Sequence, residues 1–462
     1  MPRQTSRNSC GHRPAGWCRK KDGGDSRPCL PAAVITIRLT GIIVPALTLI
    51  TIPLQSVTPE QLLKEADRCV KCGLCLPHCP TYRKLANEAD SPRGRIALMQ
   101  ALASGELSPT PTLRLHLARC LNCRACETAC PSGVSYGELI DAAHAMLQQS
   151  AGIKRPLRRA LLNLLSERKL FGQTTRLLPL LSRAGVLRLI KKAPSKPLRQ
   201  LADLASEMPV YQPPPSGLTP AVTAGGGSVQ LFIGCISSQV DRPVIDATIR
   251  LLTHMGFAVN VPKQQVCCGA LHRHNGFPQA ADRLSKQNSG VFASPKPTAL
   301  ITLAEACHKE LLEQTRSTPR LQTISAFLLN TPWPETFHFT PLKARVAVHR
   351  PCSASEDAPM TLLQRIPGLI PFLLPENTIC CGGAGSYPLT QPALAQSLGE
   401  DKITLLKETK TDILVTSSTG CTLQFRSQIK RAGLDIEVLH PVELLTRQLD
   451  LNSKSDKLIF SL

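Results

Sequence analysis

The stretch Cys69–Pro80, CVKCGLCLPHCP, returns in the same spacing as Cys120–Pro131, CLNCRACETACP. Each copy sets three cysteines apart by two residues, adds a fourth after three more, and follows it at once with proline. Three thiolates on one tight loop can grip three irons of a cubane cluster. The fourth, held at a helix start, points away and reaches the neighbouring cluster. The spacing predicts two [4Fe-4S] clusters with crossed ligation: Cys69, Cys72, Cys75 and Cys130 on the first, Cys120, Cys123, Cys126 and Cys79 on the second. Zinc is the competing chemistry. Zinc sites take four ligands, usually as two separate hooks, and have no use for a third evenly spaced cysteine or a terminal Cys-Pro.

Crossed ligation also constrains the chain between the motifs, which must leave and return. Its signals are helical. TPEQLLKEADRC offers Thr58 as a cap with Pro59 at the first helical position, and SPRGRIALMQALASGEL repeats the device with Ser91 and Pro92. Residues 57–150 therefore read as a helical two-cluster ferredoxin domain. It carries no acid–base constellation and no substrate pocket, so its chemistry is electron transfer.

The 462 residues, 42% hydrophobic and 19% charged, fit a globular chain of several domains. Nineteen cysteines in a chain this long do not describe a small disulfide scaffold, and their clustering favours metal or redox chemistry in a reducing cytoplasm. Aromatics at 4% leave little for stacking nucleic-acid bases. The net charge of +21 is concentrated: residues 151–200 hold thirteen Lys and Arg against Glu167 alone. There, leucines recur at three- and four-residue spacings among the basic side chains, predicting short amphipathic helices broken at Pro179 and Gly185. Such helices suit an anionic membrane surface or an acidic partner, with a solvated basic face as the plain alternative, and no nucleic-acid-reading motif accompanies them. A Pro/Gly-rich linker closes this segment at residue 228.

Residues 1–56 read differently. A basic, Gly- and Pro-rich start precedes the apolar run AAVITIRLTGIIVPALTLITIPL, which is long enough to cross a bilayer but carries Arg38 and Pro45. The first expectation is an extension absent from the mature protein, with a start near Val57. A single membrane anchor is the second.

Beyond residue 228, apolar strands alternate with helices, and cysteines mark the strand ends. VQLFIGC ends at Cys235, QQVCCGALH holds Cys267 and Cys268, and TALITLAEAC ends at Cys307. The plan repeats with ARVAVHRPC ending at Cys352, TICCGGAG holding Cys380 and Cys381, and DILVTSSTGC ending at Cys421. From each CC pair to the last cysteine the separation is 39 and 40 residues, which predicts two homologous α/β units, 229–335 and 342–450. Each gathers four thiols where open α/β sheets carry their sites. A further cluster or a redox-active thiol site fits them, and buried structural cysteines are the plain alternative. His272 and His274 beside the first pair read as surface or outer groups rather than ligands.

Two such ferredoxin motifs followed by two CCG units resemble the iron–sulfur subunit of glycolate oxidase (glycolate dehydrogenase). The wider group includes subunits of anaerobic glycerol-3-phosphate dehydrogenase and heterodisulfide reductase. The resemblance runs from about residue 57 to 447 and is carried by CPTYRKLANEADSPRGRI, CLNCRACETACPSGVSYGELID and CCGGAGSYPLTQPALAQSLGEDK. It implies an α+β multidomain chain: a helical two-[4Fe-4S] ferredoxin domain, a basic helical linker (151–228) and two duplicated cysteine-rich domains. It further implies an electron-transfer subunit, cytoplasmic and peripheral on the inner membrane. Electrons would come from FAD-containing partner subunits that oxidise glycolate and leave towards membrane quinone. Lactate or glycerol 3-phosphate as the oxidised substrate, a heterodisulfide-type thiol–disulfide reductase, and a cluster-containing sensor or assembly protein are the other readings. Two positions depart from the family pattern: LAEACHKE around Cys307, where a Ser-Gly-Cys-Gly turn is usual, and Arg350, where a further cysteine is common.

Overall fold

A computed structural model describes residues 58–450, apart from 151, 153, 207, 209–210, 224, 294–296, 315–319 and 355–356. The extension 1–56, with its apolar run and the anchor reading attached to it, lies outside the described residues. Among the described residues no helix is long and apolar enough to cross a membrane.

The first region is helical because its caps say where each helix begins. Thr58 closes a capping box with Gln61 over the helix Pro59–Ala66. Ser91 Oγ accepts from Gly94 N at 3.0 Å to start Pro92–Ala103, and Thr110 caps Pro111–Ala118. With Tyr136–Gln149 these helices enclose Leu62, Ile96, Met99, Leu117, Leu139 and Ile140 in one core. Cys79 stands at the N-cap of the helix Pro80–Leu85. The second motif departs from that expectation: Cys130 opens a turn, closed by Gly133 N to Cys130 O at 3.1 Å, rather than a helix.

The basic segment forms helices Lys154–Ser166, Arg168–Arg183, Val186–Lys191 and Lys196–Ser206. The expected break at Pro179 does not occur, since Arg168–Arg183 runs through it. Proline there withholds one donor from the ladder, and a single lost bond between intact turns does not end a helix. Gly185, with φ at 74°, does separate its neighbours.

Two sheets follow. The first is five-stranded, with β1 (Gly217–Thr219), β2 (Gly227–Phe232), β3 (Phe257–Val261), β4 (Ala299–Thr302) and β5 (Leu321–Thr323) in the order β1-β3-β2-β4-β5. The second is four-stranded, with β6 (Arg345–His349), β7 (Ile370–Leu373), β8 (Ile413–Thr416) and β9 (Glu437–Leu439) in the order β7-β6-β8-β9. All pairings are parallel except β1, which comes from the linker and adds antiparallel to β3. Without β1 the two orders are the same, so the repeat in the sequence is a repeat in topology.

The units share one apolar core that draws on Val229, Leu231 and Ile301 from one sheet and Val346, Val348 and Val415 from the other. Their helices pack reciprocally. The helix after β2, Arg242–His254, meets the helix after β9, Pro441–Gln448. The helix after β5, Ile324–Asn330, meets the helix after β6, Ala358–Leu363. A contact between two copies of one fold that exchanges equivalent elements in this way is self-complementary, as in a two-fold dimer.

Candidate functional site

Both ferredoxin loops use the same backbone device. φ turns positive at Lys71 (57°) and Asn122 (51°), then again at Gly73 (89°) and Arg124 (57°), winding each loop around its own thiols. A side-chain-bearing residue in that region costs about 1–2 kcal/mol, so the loops are strained where they curl. Cys69, Cys72, Cys75 and Cys130 wall one cavity, which Cys126 also lines. Cys79 lies close enough to Cys120, Cys123 and Cys126 for their charges to interact. The structure thus brings together the two crossed sets that the spacing predicts.

Burial raises the thiols of Cys75, Cys120, Cys123 and Cys126 above their ordinary range. Free, they would stay neutral; thiolates clustered this closely fit a soft, positively charged metal centre. The chain also supplies a buried cation. Arg95, 1% exposed, pairs with Asp90 and bonds the Thr81 hydroxyl and the His116 carbonyl. Burial works against its charge, but the Asp90 carboxylate beside it keeps it protonated. Its place beside the second set suits a group of net negative charge. Asn122 N donates to Cys120 Sγ at 3.4 Å, and Tyr136 Oη lies 3.7 Å from the same sulfur.

The cysteine-rich units each string four thiols in the same sequence. In the first, Cys235 Sγ lies 3.3 Å from Cys267 Sγ, and Cys268 links Cys267 to Cys307. In the second, Cys352 meets Cys380, which meets Cys381, which meets Cys421. Cys307 and Cys421 do not end strands, as their apolar runs suggest. β4 and β8 stop at Thr302 and Thr416, and both cysteines sit in the first turns of helices Glu305–Gln314 and Thr419–Arg431. Gly269 (φ 102°) and Gly382 (φ 86°) follow the CC pairs in the left-handed region that lets the chain double back.

All of these sets except Cys381 open on one cavity of about 480 Å³. It is lined by Cys235, Cys267, Cys268 and Cys307 from the first unit and by Cys352, Cys380 and Cys421 from the second. Cys120 and Cys123 of the second ferredoxin motif complete it, and Cys123 lies beside Cys352 and Cys380. Polar contacts hold this junction. Ser237 and Thr419 hydroxyls meet at 2.5 Å across the seam, Thr419 also donates to Asp241, and His440 Nε2 meets the Leu303 carbonyl at 3.0 Å. Tyr387 Oη donates to the Arg119 carbonyl at 2.9 Å, fastening the CCGG turn to the ferredoxin region.

His272 is not a surface group, whereas the His274 side chain is about a third exposed. His272 is buried with Nε2 3.0 Å from Asn163, and His274 Nδ1 lies 3.0 Å from Asp141 of the ferredoxin region. Both tie elements together. The histidine missed by sequence reasoning is His349, last residue of β6, 2% exposed. Its ring sits edge-on to Phe425 at 4.8 Å, and one donor atom each of His349, Cys381 and Cys421 lies within 4.8 Å of the others. Burial, with the Lys402 charge adding to it, pushes its pKa down to about 3. The sequence signal was its offset: His349 precedes Cys352 by the same three residues that separate Phe232 from Cys235.

Comparison with known proteins matches residues 65–134 to a 4Fe-4S dicluster domain and residues 229–311 and 346–426 to a cysteine-rich domain. The chain is 31% identical over 422 residues to a probable glycolate oxidase iron-sulfur subunit of Bacillus subtilis, covering 82% of this chain and 93% of that protein. It is 28% identical over 410 residues to the glycolate oxidase iron-sulfur subunit of Escherichia coli, covering 83% and 94%. Lactate utilization protein A of Oceanobacillus iheyensis is 29% identical over 238 residues, covering 47% of this chain and 96% of that protein.

Proposed function

Because the chain belongs to the family of glycolate oxidase iron–sulfur subunits, we propose that it carries electrons within a complex. They pass from a flavin-containing partner that oxidises glycolate towards a membrane quinone. Substrate chemistry then lies on the partner chain, and this subunit is the conduit. Two [4Fe-4S] clusters belong to residues 65–134. When bound, each takes up and releases one electron at a time through its irons.

The observation that carries the reading is the gradient of exposure along the cysteine sets. Cys72 is exposed, and Val70 and Leu74 beside it are 70% and 57% exposed, an apolar rim suited to a docked electron donor. The second set is covered and opens on the cavity shared with the CCG thiols. Cys123 beside Cys352 and Cys380 marks the crossing from the ferredoxin region into the second unit. In this reading the CCG thiols hold a further redox centre, with Arg95 offsetting negative charge upstream of it.

The basic helices supply the membrane contact. Leu157, Leu161, Leu177, Leu180 and Leu189 are exposed among Arg159, Arg183 and Arg188, the mixture that settles at an anionic lipid surface. Vesicles containing acidic lipid should retain the protein at low salt and release it at high salt.

Cys72→Ser tests the route. The partner flavin should remain reducible by glycolate while delivery to quinone is lost and iron falls from the about eight atoms of the ferredoxin pair. Quinone reduction that survives this change would sink the reading. The roughly 480 Å³ cavity between facing thiols supports a second one, thiol–disulfide reduction. Disulfide-reducing activity in the subunit without its flavoprotein partner would favour it.

A further inference from the structure

β2 and β6 are the equivalent strands of the two units, and each ends three residues before the first cysteine of its set. In the first unit that last residue is Phe232, packed with Cys235, Cys267 and Cys268 and against the ring of Phe292 at 6.0 Å. An apolar ring is all that position requires for packing. In the second unit it is His349, buried to the same degree, with neither ring nitrogen hydrogen-bonded. The Asn377 amide lies beside the ring, but its oxygen accepts from Arg350 N at 2.9 Å and its nitrogen donates to the Val348 carbonyl at 3.2 Å. Buried polar groups are almost always satisfied, and an orphaned one needs a reason. Here the reason stands within 4.8 Å, where the sulfurs of Cys381 and Cys421 share a small volume with an imidazole nitrogen.

We propose that His349 is a direct ligand, with Cys381 and Cys421, of the iron–sulfur centre held by the second unit. This rests on the reading above that the CCG thiols hold such a centre. Imidazole is a borderline-soft donor that iron accepts alongside thiolate. It is neutral, so a centre that takes it in place of the Cys352 or Cys380 thiolate carries one negative charge fewer and a higher potential than an all-thiolate one. The two units therefore hold unlike centres: all-thiolate in the first, where Phe232 offers no donor, and mixed imidazole–thiolate in the second. The mixed centre is the better electron acceptor, and it lies on the side of the cavity that Cys123 approaches.

The test uses the full-length, cluster-loaded protein grown with ordinary or ¹⁵N-labelled histidine. Pulsed EPR is recorded across a redox titration, so that each centre passes through its paramagnetic state. The expected result is a strong nitrogen coupling on one centre that changes isotope with the label. It should vanish in His349→Phe, which reproduces the first unit, while the ferredoxin signals persist and the potential of that centre falls. Cys381→Ser reports on the underlying reading and should lose about four iron atoms. If Cys381→Ser keeps all its iron, the second unit holds no cluster and both readings fall. If iron is lost but wild type shows no histidine-derived coupling, His349 is a core residue and this proposal alone is overturned.

Discussion

Phe232 and His349 occupy one place in two copies of a single fold, and the thiols beside them differ in the same direction. In the first unit Cys268 receives hydrogen bonds from both Cys267 and Cys307, with the Ala270 backbone N–H and the charge of His274 adding to them. Its pKa is held well below the ordinary thiol range. In the second unit Cys352, Cys380 and Cys381 are not favoured in this way. Hydrogen bonding to Cys380, then burial, raises Cys352, and Cys380 and Cys381 are raised although each accepts one hydrogen bond. Strand order, thiol order and the left-handed glycine are held constant while the electrostatics around them change. Duplication has fixed the geometry of the site and left its chemistry free to diverge.

The largest test of that statement bears on the shared geometry. A Cβ on Gly382 would lie 2.7 Å from the Ala395 carbonyl oxygen and 3.0 Å from its Cα, whereas one on Gly269 would lie 3.1 Å from atoms of Ala281. Both positions carry a φ that alanine adopts only with strain. Gly382→Ala should cost about 3–4 kcal/mol and Gly269→Ala about 1–3 kcal/mol in denaturant unfolding. Equal losses would mean that the two turns are not packed as differently as these distances imply.

The seam between the units offers the next test, through pH. Burial pushes the Asp241 carboxyl up to about 6, even though the Thr419 hydroxyl donates to it. An acid whose pKa is raised by folding stabilises the fold while protonated, and that contribution is lost as pH climbs through the folded value. About 3 kcal/mol of stability should disappear between roughly pH 4 and pH 7. Asp241→Asn should flatten this dependence and gain about 1–3 kcal/mol above pH 7, read as the difference in Tm between pH 5 and pH 8. A variant as pH-sensitive as wild type would place the seam titration elsewhere.

Much of this arrangement was legible in the chain. Thiol spacing is a local property, so the eight ferredoxin cysteines and their crossed grouping are an expectation the chain itself supplies. The 39- and 40-residue intervals gave the duplication because a repeated fold repeats its loop lengths. Strand ends were harder. TALITLAEAC is one apolar run, and only the sheet shows that pairing stops at Thr302 and leaves Cys307 to a helix. Pro179 misled because a proline inside a helix costs one bond, which tertiary packing can absorb. The convergence of two thiol sets and Cys123 on one cavity depends on contacts between residues hundreds of positions apart, which no local pattern encodes. His349 was hidden for a related reason. A lone histidine in an apolar strand looks like packing until its unpaired nitrogens and the neighbouring sulfurs are seen together.

The two units also differ in how the ferredoxin region holds them, and here the expected effects are smallest. Arg124, beside Cys123, forms a two-toothed pair with Glu313 of the first unit, its side chain 12% exposed. Burial opposes its charge, but Glu313 more than compensates. Towards the second unit the ion pairs, beside the Tyr387–Arg119 hydrogen bond, are Lys84 to Asp401 at 2.6 Å and Arg83 to Glu376 at 2.9 Å, each with its carboxylate side chain nearly half exposed. Water and counter-ions screen such exposed pairs, and ordering two long side chains offsets much of what remains. Arg124→Met should therefore cost about 1–2 kcal/mol, part of it from leaving Glu313 without its partner. Losing both Arg83 and Lys84 to methionine should cost under about 1 kcal/mol. Salt separates the cases further: raising NaCl to about 0.5 M should erase the Arg83 and Lys84 effect and leave most of the Arg124 effect, because screening reaches the half-buried pair poorly. If salt abolishes both equally, the ferredoxin region is held by surface charge on either side, and the asymmetry between the units stops at their thiols.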